Sequence, residues 1–353
     1  MEKKNINRRN FLGAGLAAAA TVTVGKSFAA DETYKPIPIK KKDDNPFNPV
    51  TYSAMPTNSF GKTGYKVGVL SLGGQATIET KGREEESEKI IHRAIDLGVN
   101  YIDTAASYGG GLSQLNIGRV MQTRRSEVWL STKTHDRTYD GSMRLLEESL
   151  TNLQTDHLDT WQLHNIQRQD QVDQIFAADG AMKAMEKAKA EGMVRRIGIT
   201  GHYEPLVLLE AIKRFPFDSI LLAVNAADIH YLSFKNYLLP EAQKQGIAII
   251  GMKVATRGRM ISTWTPPPMD EQPARMATKK PGTITIKEAL TYNMSLPVST
   301  TIIGVDSVAQ IEENVQIASE FSPLPLAEME AIEFKTLPIV RQGLYFRRWD
   351  LGV

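Results

Sequence analysis

A chain of 353 residues that is 42% apolar is long enough to bury a sizeable core, as one large domain or two ordinary ones. Its 42 basic and 40 acidic residues leave a net charge of +2 with no long block of one sign, which argues against nucleic acid and anionic membrane as partners. Cysteine is absent, which removes disulfides, thiolate nucleophiles, iron–sulfur clusters and cysteine zinc sites. The histidines (His92, His135, His157, His164, His202, His230) show no HxxxH or HExxH spacing, so no metal is expected.

The chain begins "MEKKNINRRNFLGAGLAAAATVTVGKSFAADET": basic residues, a small-residue apolar stretch over 11–25, then "SFAA". This is the layout of an export signal, too short to be a comfortable bilayer span. Arg8-Arg9 followed by Asn10-Phe11-Leu12 resembles a twin-arginine signal, the class that exports folded, often cofactor-loaded proteins. The resemblance implies a signal peptide over 1–30, the twin-arginine export machinery as a partner, and a periplasmic or otherwise exported mature chain without a stable membrane span. Prolines and asparagines mixed with "KKKDD" make 31–56 a linker.

The glycines of "FGKTGYKVGVLSLGG" are spaced for a hairpin leading into a strand over 67–72. A helix over 85–97 follows, with Ile90, Ile91, Ala94 and Ile95 on one face, then a strand over 99–103. A helix over 112–121, a strand over 128–133, and a helix over 141–153 with Leu146, Leu150 and Leu153 in register come next. Then follow a strand over 158–164, a helix over 180–191, a strand over 194–200, a helix over 205–215 and a strand over 219–225. The seventh strand, 248–253, precedes a long proline-rich loop (261–282, with Trp264) and a helix over 286–292. The eighth, 301–305, precedes a helix over 307–319. The tail "IVRQGLYFRRWDLGV" carries aromatics suited to covering the barrel or an interface. Eight strand–helix units imply a parallel sheet, and their number fits a single (β/α)8 TIM barrel over 57–353. Periodicity alone is also compatible with an open doubly wound sheet, against which stands the lack of a GxGxxG after any strand.

Functional side chains of such a barrel sit where strands end. Those ends hold Asp103, Lys133 and His164, with Tyr108 in the glycine-rich loop after Asp103. Singly, the histidine is a core residue, the aspartate a cap and the lysine a strand end reaching for solvent. Together on neighbouring strands they make a catalytic set. A buried Lys133 pairs with Asp103, and its charge favours the phenolate of Tyr108, lowering that pKa. A phenol so tuned can protonate a carbonyl oxygen while hydride reaches the carbon, with His164 holding the same oxygen by a hydrogen bond.

"YIDTAASYGGGLSQLNIGRV", "STKT", "LDTWQLHN" and "IGITGH" resemble the aldo-keto reductase family over roughly 60–319. Asp103, Tyr108, Lys133 and His164 fall on its catalytic tetrad. The resemblance implies reduction of a small-molecule aldehyde or ketone with NADPH or NADH, Tyr108 acting as general acid. It also implies cofactor contacts. "TTIIGVDSVAQIEENV" matches the family's late cofactor segment, bringing Gly304, Asp306, Gln310, Glu313 and Asn314 to the adenosine end. Asp306 lies near the usual place of a basic residue for the 2′-phosphate, which leans toward NADH, or it simply caps the following helix. Thr200 is carried over as a carboxamide contact; Gly201 and Leu221 depart from the family pattern. Met252 stands where a tyrosine usually lies under the nicotinamide, as a substitute or a core residue. Lys253, Arg257 or Arg259 could meet the pyrophosphate. The altered nicotinamide pocket leaves an alternative, a non-catalytic nucleotide-binding sensor or auxiliary subunit on the same barrel.

Overall fold

The computed structural model describes residues 45–349; the signal expected over 1–30 and the first part of the linker lie outside them. Residues 45–56, the end of the expected linker, pack against the barrel. Asn48 Nδ2 donates to Ile95 O (2.8 Å) and Thr51 Oγ1 to Gly98 O (2.8 Å), so both satisfy carbonyls where a helix ends.

The hairpin pairs β1 (Thr57–Ser59) with β2 (Lys66–Gly68), antiparallel. Its turn carries Phe60 and Tyr65 into an aromatic cluster. Phe60 lies 5.1 Å and Tyr65 4.7 Å, ring to ring, from Trp129, and Tyr101 completes the group. Such buried rings contribute both area and edge-to-face attraction. The single strand expected over 67–72 is two: the chain leaves the hairpin at Gly68, Val69 N donates to Pro56 O (3.0 Å), and β3 (Leu70–Gly73) enters the barrel. Gly68 packs closely on the Met55 side chain at this point, a Cβ there lying 2.7 Å from Met55 Sδ.

Seven further strands follow: β4 (Tyr101–Asp103), β5 (Trp129–Thr134), β6 (Leu158–Leu163), β7 (Val194–Gly201), β8 (Ser219–Ala223), β9 (Ala248–Met252) and β10 (Thr300–Ile303). All pair in parallel and close in the order β10-β3-β4-β5-β6-β7-β8-β9. The expected (β/α)8 barrel is what forms. Its outer helices are α1 (Glu84–Asp96), α2 (Leu112–Arg124), α3 (Tyr139–Asn152), α4 (Ala181–Ala190), α5 (Pro205–Arg214), α6 (Leu239–Gln245), α7 (Ile286–Ser295) and α8 (Val308–Ser319). α1 buries Ile90, Ile91, Ala94 and Ile95, the stripe its period predicts, and sets Glu84, Glu85 and Glu86 at the positive end of its dipole. α7 begins with a capping box, Thr285 and Glu288 each bonding the other's backbone N–H. α6, which the sequence reading did not foresee, starts with Pro240 in its first turn and stops at Gly246, whose φ is +68°.

Two segments finish the strand-end face. The loop after β9 folds back on itself through an Ile261–Ile284 bridge. The tail crosses the same end and is held by Arg347, a buried side chain that pairs with Asp228 and donates to Ala223 O and His202 O (each 3.0 Å). The aromatic tail therefore covers this barrel.

Candidate active site

β4, β5 and β6 are neighbours, and each delivers a polar group near its C-terminal end. Asp103 is the last residue of β4, Lys133 the penultimate residue of β5, and His164 follows β6 directly. Tyr108 opens a single turn in which Gly109, Gly110 and Gly111 have φ of +56°, +64° and +98°. Only glycine adopts three such residues cheaply, and a Cβ on Gly109 would lie 2.1 Å from Glu79 O. That turn brings the phenol back beside Lys133, whose Nζ is 4.8 Å from the Tyr108 ring centre, and His164 meets the same ring edge-on at 5.7 Å. The four residues expected together are together.

Lys133 is almost wholly buried. Its ammonium donates to Asp103 Oδ1 and to Thr104 O (2.7 Å). The other carboxylate oxygen of Asp103 accepts from Gln162 Nε2 (2.8 Å), which also donates to Ser131 Oγ (2.6 Å). Both oxygens of the buried acid are thus partnered, as burial of a charge demands. Breaking such a pair from one side costs about 3–5 kcal/mol. Burial works against the charge on Lys133, but Asp103 and Tyr108 outweigh it and hold the ammonium above its ordinary pKa.

The phenol of Tyr108 corrects an expectation. Its pKa stands above the ordinary value, because burial favours the neutral form by more than Lys133 favours the phenolate. Lys133 does pull the other way, by its charge and by a side-chain hydrogen bond, while Asp103 and Glu79 add to the rise. His164 is pushed well below the usual imidazole value, first by burial and then by the positive charges of Lys133 and Arg137. At neutral pH the site therefore holds a protonated phenol beside an ammonium and a neutral imidazole.

Tyr108 and His164 line a cleft of about 920 Å³, with Gln75, Asn165, His202, Lys253 and Arg257 on its walls. The loop after β9 contributes Arg275 and Met276, and the tail Arg341, Tyr345, Phe346 and Trp349. Lys253 Nζ donates to Gln75 Oε1 (3.1 Å), and its pKa is lowered from 10.5 to about 8, by burial first and then by Arg257 and Lys133. Arg257 pairs with Glu79 (3.2 Å). Arg259 turns away: it donates to Met276 O (3.2 Å) and lies over Trp264 and Tyr345, stapling the loop.

The other expected cofactor contacts are spread out. Thr200 is buried, and its hydroxyl accepts from Asn165 N (2.7 Å), so it supports the chain beside His164. Met252 belongs to the barrel core with Phe60, Ile250 and Leu221. Gly304 lies against β3, where a Cβ would approach Gln75 O to 3.1 Å. Asp306 does not cap α8; Ser307 does, accepting from Gln310 N (3.3 Å), while Gln310 Oε1 accepts from Asp306 N (2.8 Å). On α8, Glu313 is exposed and Asn314 buried.

Several residues of the site escaped the sequence reading. Gln162 is the amide that fixes Asp103; a lone glutamine two positions before His164, on the same side of an apolar strand, was its signal. Arg137 Nη2 donates to His164 O (2.7 Å) and Asn165 O (3.2 Å), gripping the backbone that carries the imidazole. Asn165, at φ +53°, meets His202 Nδ1 through its side chain (3.0 Å).

Comparison with known proteins agrees with this architecture. L-galactose dehydrogenase of Arabidopsis thaliana is 29% identical over 303 residues, 78% of this chain and 93% of that protein. The uncharacterized oxidoreductase YqkF of Bacillus subtilis is 27% identical over 312 residues, 79% of this chain and 93% of its own. The holo form of aldo-keto reductase AKR11C1 from Bacillus halodurans superposes with a TM-score of 0.65 at 25% identity, covering 80% of this chain and 96% of that one. The model of the aldo/keto reductase family matches residues 67–335, and the chain belongs to that family.

Proposed function

We propose that this protein reduces an aldehyde or ketone to an alcohol with a reduced nicotinamide dinucleotide, Tyr108 giving the proton. The observation that carries the reading is the buried Lys133, held by Asp103 on one side and set against Tyr108 on the other, beside His164.

The donor set fits a dinucleotide. Lys253 and Arg257 offer positive charge on one wall of the cleft with Gln75 between β3 and β9, and the close approach of Gly304 to Gln75 leaves backbone rather than side chain at the neighbouring strand end. When bound, the reduced nicotinamide supplies the hydride that the carbonyl carbon receives. The protein's own residues manage the oxygen. His164, neutral, offers an N–H to it without competing as a proton source. Tyr108, kept protonated by burial, transfers its proton as the carbonyl π pair moves onto oxygen, and the new C–H and O–H bonds complete the alcohol. Lys133 stabilises the phenolate left behind, the moment at which its charge counts most. Asp103, fixed by Gln162, holds that ammonium in place.

Tyr108→Phe tests this. Turnover of a panel of aldehydes is expected to fall by about 10²–10⁴-fold, while fluorescence titration shows dinucleotide affinity within a few-fold of the native protein. Full turnover by the variant overturns the proposal. Failure of the native protein to turn over any carbonyl, with dinucleotide still bound, would favour a nucleotide-binding sensor instead. We further propose that the leader over 1–30 sends the folded chain out of the cytoplasm by the twin-arginine route, on the strength of Arg8-Arg9 followed by Asn10-Phe11-Leu12 and the apolar stretch over 11–25.

A further inference from the structure

We propose that the carbonyl substrate carries a carboxylate, received at the far end of the cleft by Arg341. This rests on the reading of the cleft as the site of carbonyl reduction.

Among the described residues, the walls of the cleft hold five cationic side chains, Lys253, Arg257, Arg275, Arg341 and Arg347, and no aspartate or glutamate. Three of these charges are accounted for. Arg347 is paired with Asp228, and Lys253 and Arg257, the latter also touching Glu79, form with Gln75 the wall suited to a dinucleotide. Arg275 and Arg341 remain, and among the described residues neither guanidinium meets a carboxylate.

Arg341 is the better prepared of the two. Its guanidinium lies 4.6 Å over the ring of Trp349, and Trp349 stacks on Tyr231 at 4.0 Å and 5°. Trp349 is fixed by its Nε1–H to Leu344 O (2.8 Å), and Tyr231 by its hydroxyl to Arg348 O (2.5 Å). A guanidinium held against an aromatic face by its charge spends none of its N–H groups on that contact. That fork matches a carboxylate in two parallel hydrogen bonds, and the ring that carries it is fixed before the ligand arrives. Arg275 has no comparable support and adds only charge. Tyr203, Tyr345 and Phe346 line the same cleft as this fork and the Tyr108–His164 pair. The field at the mouth agrees with an anionic guest: His202 is held well below its usual pKa by burial and then by Lys253, His164 and Arg347.

The probe pair is 4-formylbenzoate and its methyl ester, alike in ring and aldehyde and different in charge. Calorimetry on protein loaded with oxidised dinucleotide measures their binding without requiring turnover. The acid is expected to bind about tenfold more tightly than the ester. Arg341→Gln should close most of that gap, Arg341→Lys should restore part of it, and the acid-to-ester ratio of kcat/KM should follow the same order. Equal affinity for acid and ester, or a gap that Arg341→Gln leaves intact, overturns the proposal. Tight, Arg341-dependent binding of the acid with no turnover of either aldehyde would instead overturn the reduction reading and leave this one standing.

Discussion

Lys253 has a backbone φ of +63° and keeps its ammonium in a cleft that lowers its pKa to about 8. Both features cost stability, and such costs gather where a ligand repays them. The sign follows from the shift. The folded state disfavours the charged lysine, so the penalty is full below about pH 8 and fades as pH rises toward the unfolded value of 10.5. Lys253→Met should therefore raise the melting temperature by a few degrees at pH 7 and change it little at pH 10.5, as thermal melts at the two pH values would show. The same variant should bind dinucleotide about tenfold more weakly at pH 7, and native affinity should decline as pH passes 8. A variant no more stable at pH 7 would remove the burial argument. Residues differ in how plainly the sequence announces them. Asp103, Lys133 and His164 are polar at the ends of apolar runs, a pattern that needs no coordinates. Gln162 and Arg137 act by gripping Asp103 and the backbone at 164–165, and such second-hand roles exist only once the strands are side by side. The direction of the Tyr108 shift was illegible for a related reason: charge can be read from a string of residues, but depth of burial cannot.

At the scale of elements, the barrel was readable wherever period and length were clear. Most strands are short and carry an apolar core stretch, and α1 and α3 repeat their apolar stripe over three turns or more. α6 has seven residues and a proline in its first turn, too few to show a period. The split of the strand expected over 67–72 shows in Val69 N turning to Pro56 O, a contact between segments. α8 bears on the cofactor. From Lys287 to Lys335 the chain has no other lysine or arginine, and Asp306, Glu312 and Glu313 lie at or near the start of α8. Ser307 already satisfies one of the helix's first N–H groups, through Gln310 N. The cations beside this end come from α1: Arg93 is already paired with Glu312 (2.7 Å), and Lys89 shares a groove with Val308, Glu85, Glu88 and Asp96, so a 2′-phosphate delivered here would meet an excess of acid. NADH should therefore be used at least about tenfold more efficiently than NADPH in kcat/KM, and Asp306→Lys should narrow the difference by improving NADPH. Equal use of both by the native protein would show that the 2′ position lies elsewhere.

For the molecule as a whole, the cleft is finished by segments remote in sequence. Arg347 pins the tail to Asp228, Gln342 Nε2 ties it to Arg259 O (2.5 Å) and Lys280 O (3.1 Å), and Arg348 N reaches Tyr203 O (3.3 Å). The walls of the cleft come together from strand ends, the loop after β9 and the tail, so a dinucleotide held in it is acquired by the folded protein. Among the described residues no helix is long and apolar enough to cross a membrane. A route that threads the chain unfolded would deliver an empty cleft to a compartment without an evident supply of reduced nicotinamide. Export after folding would carry the nucleotide along. In a host with twin-arginine machinery, the native chain is expected in the exported fraction with nucleotide detectable by mass spectrometry of the intact complex. Replacing Arg8 and Arg9 together by lysine should leave the protein in the cytoplasm, folded and active. Export that continues undiminished after that double replacement would mean the paired arginines are not the address.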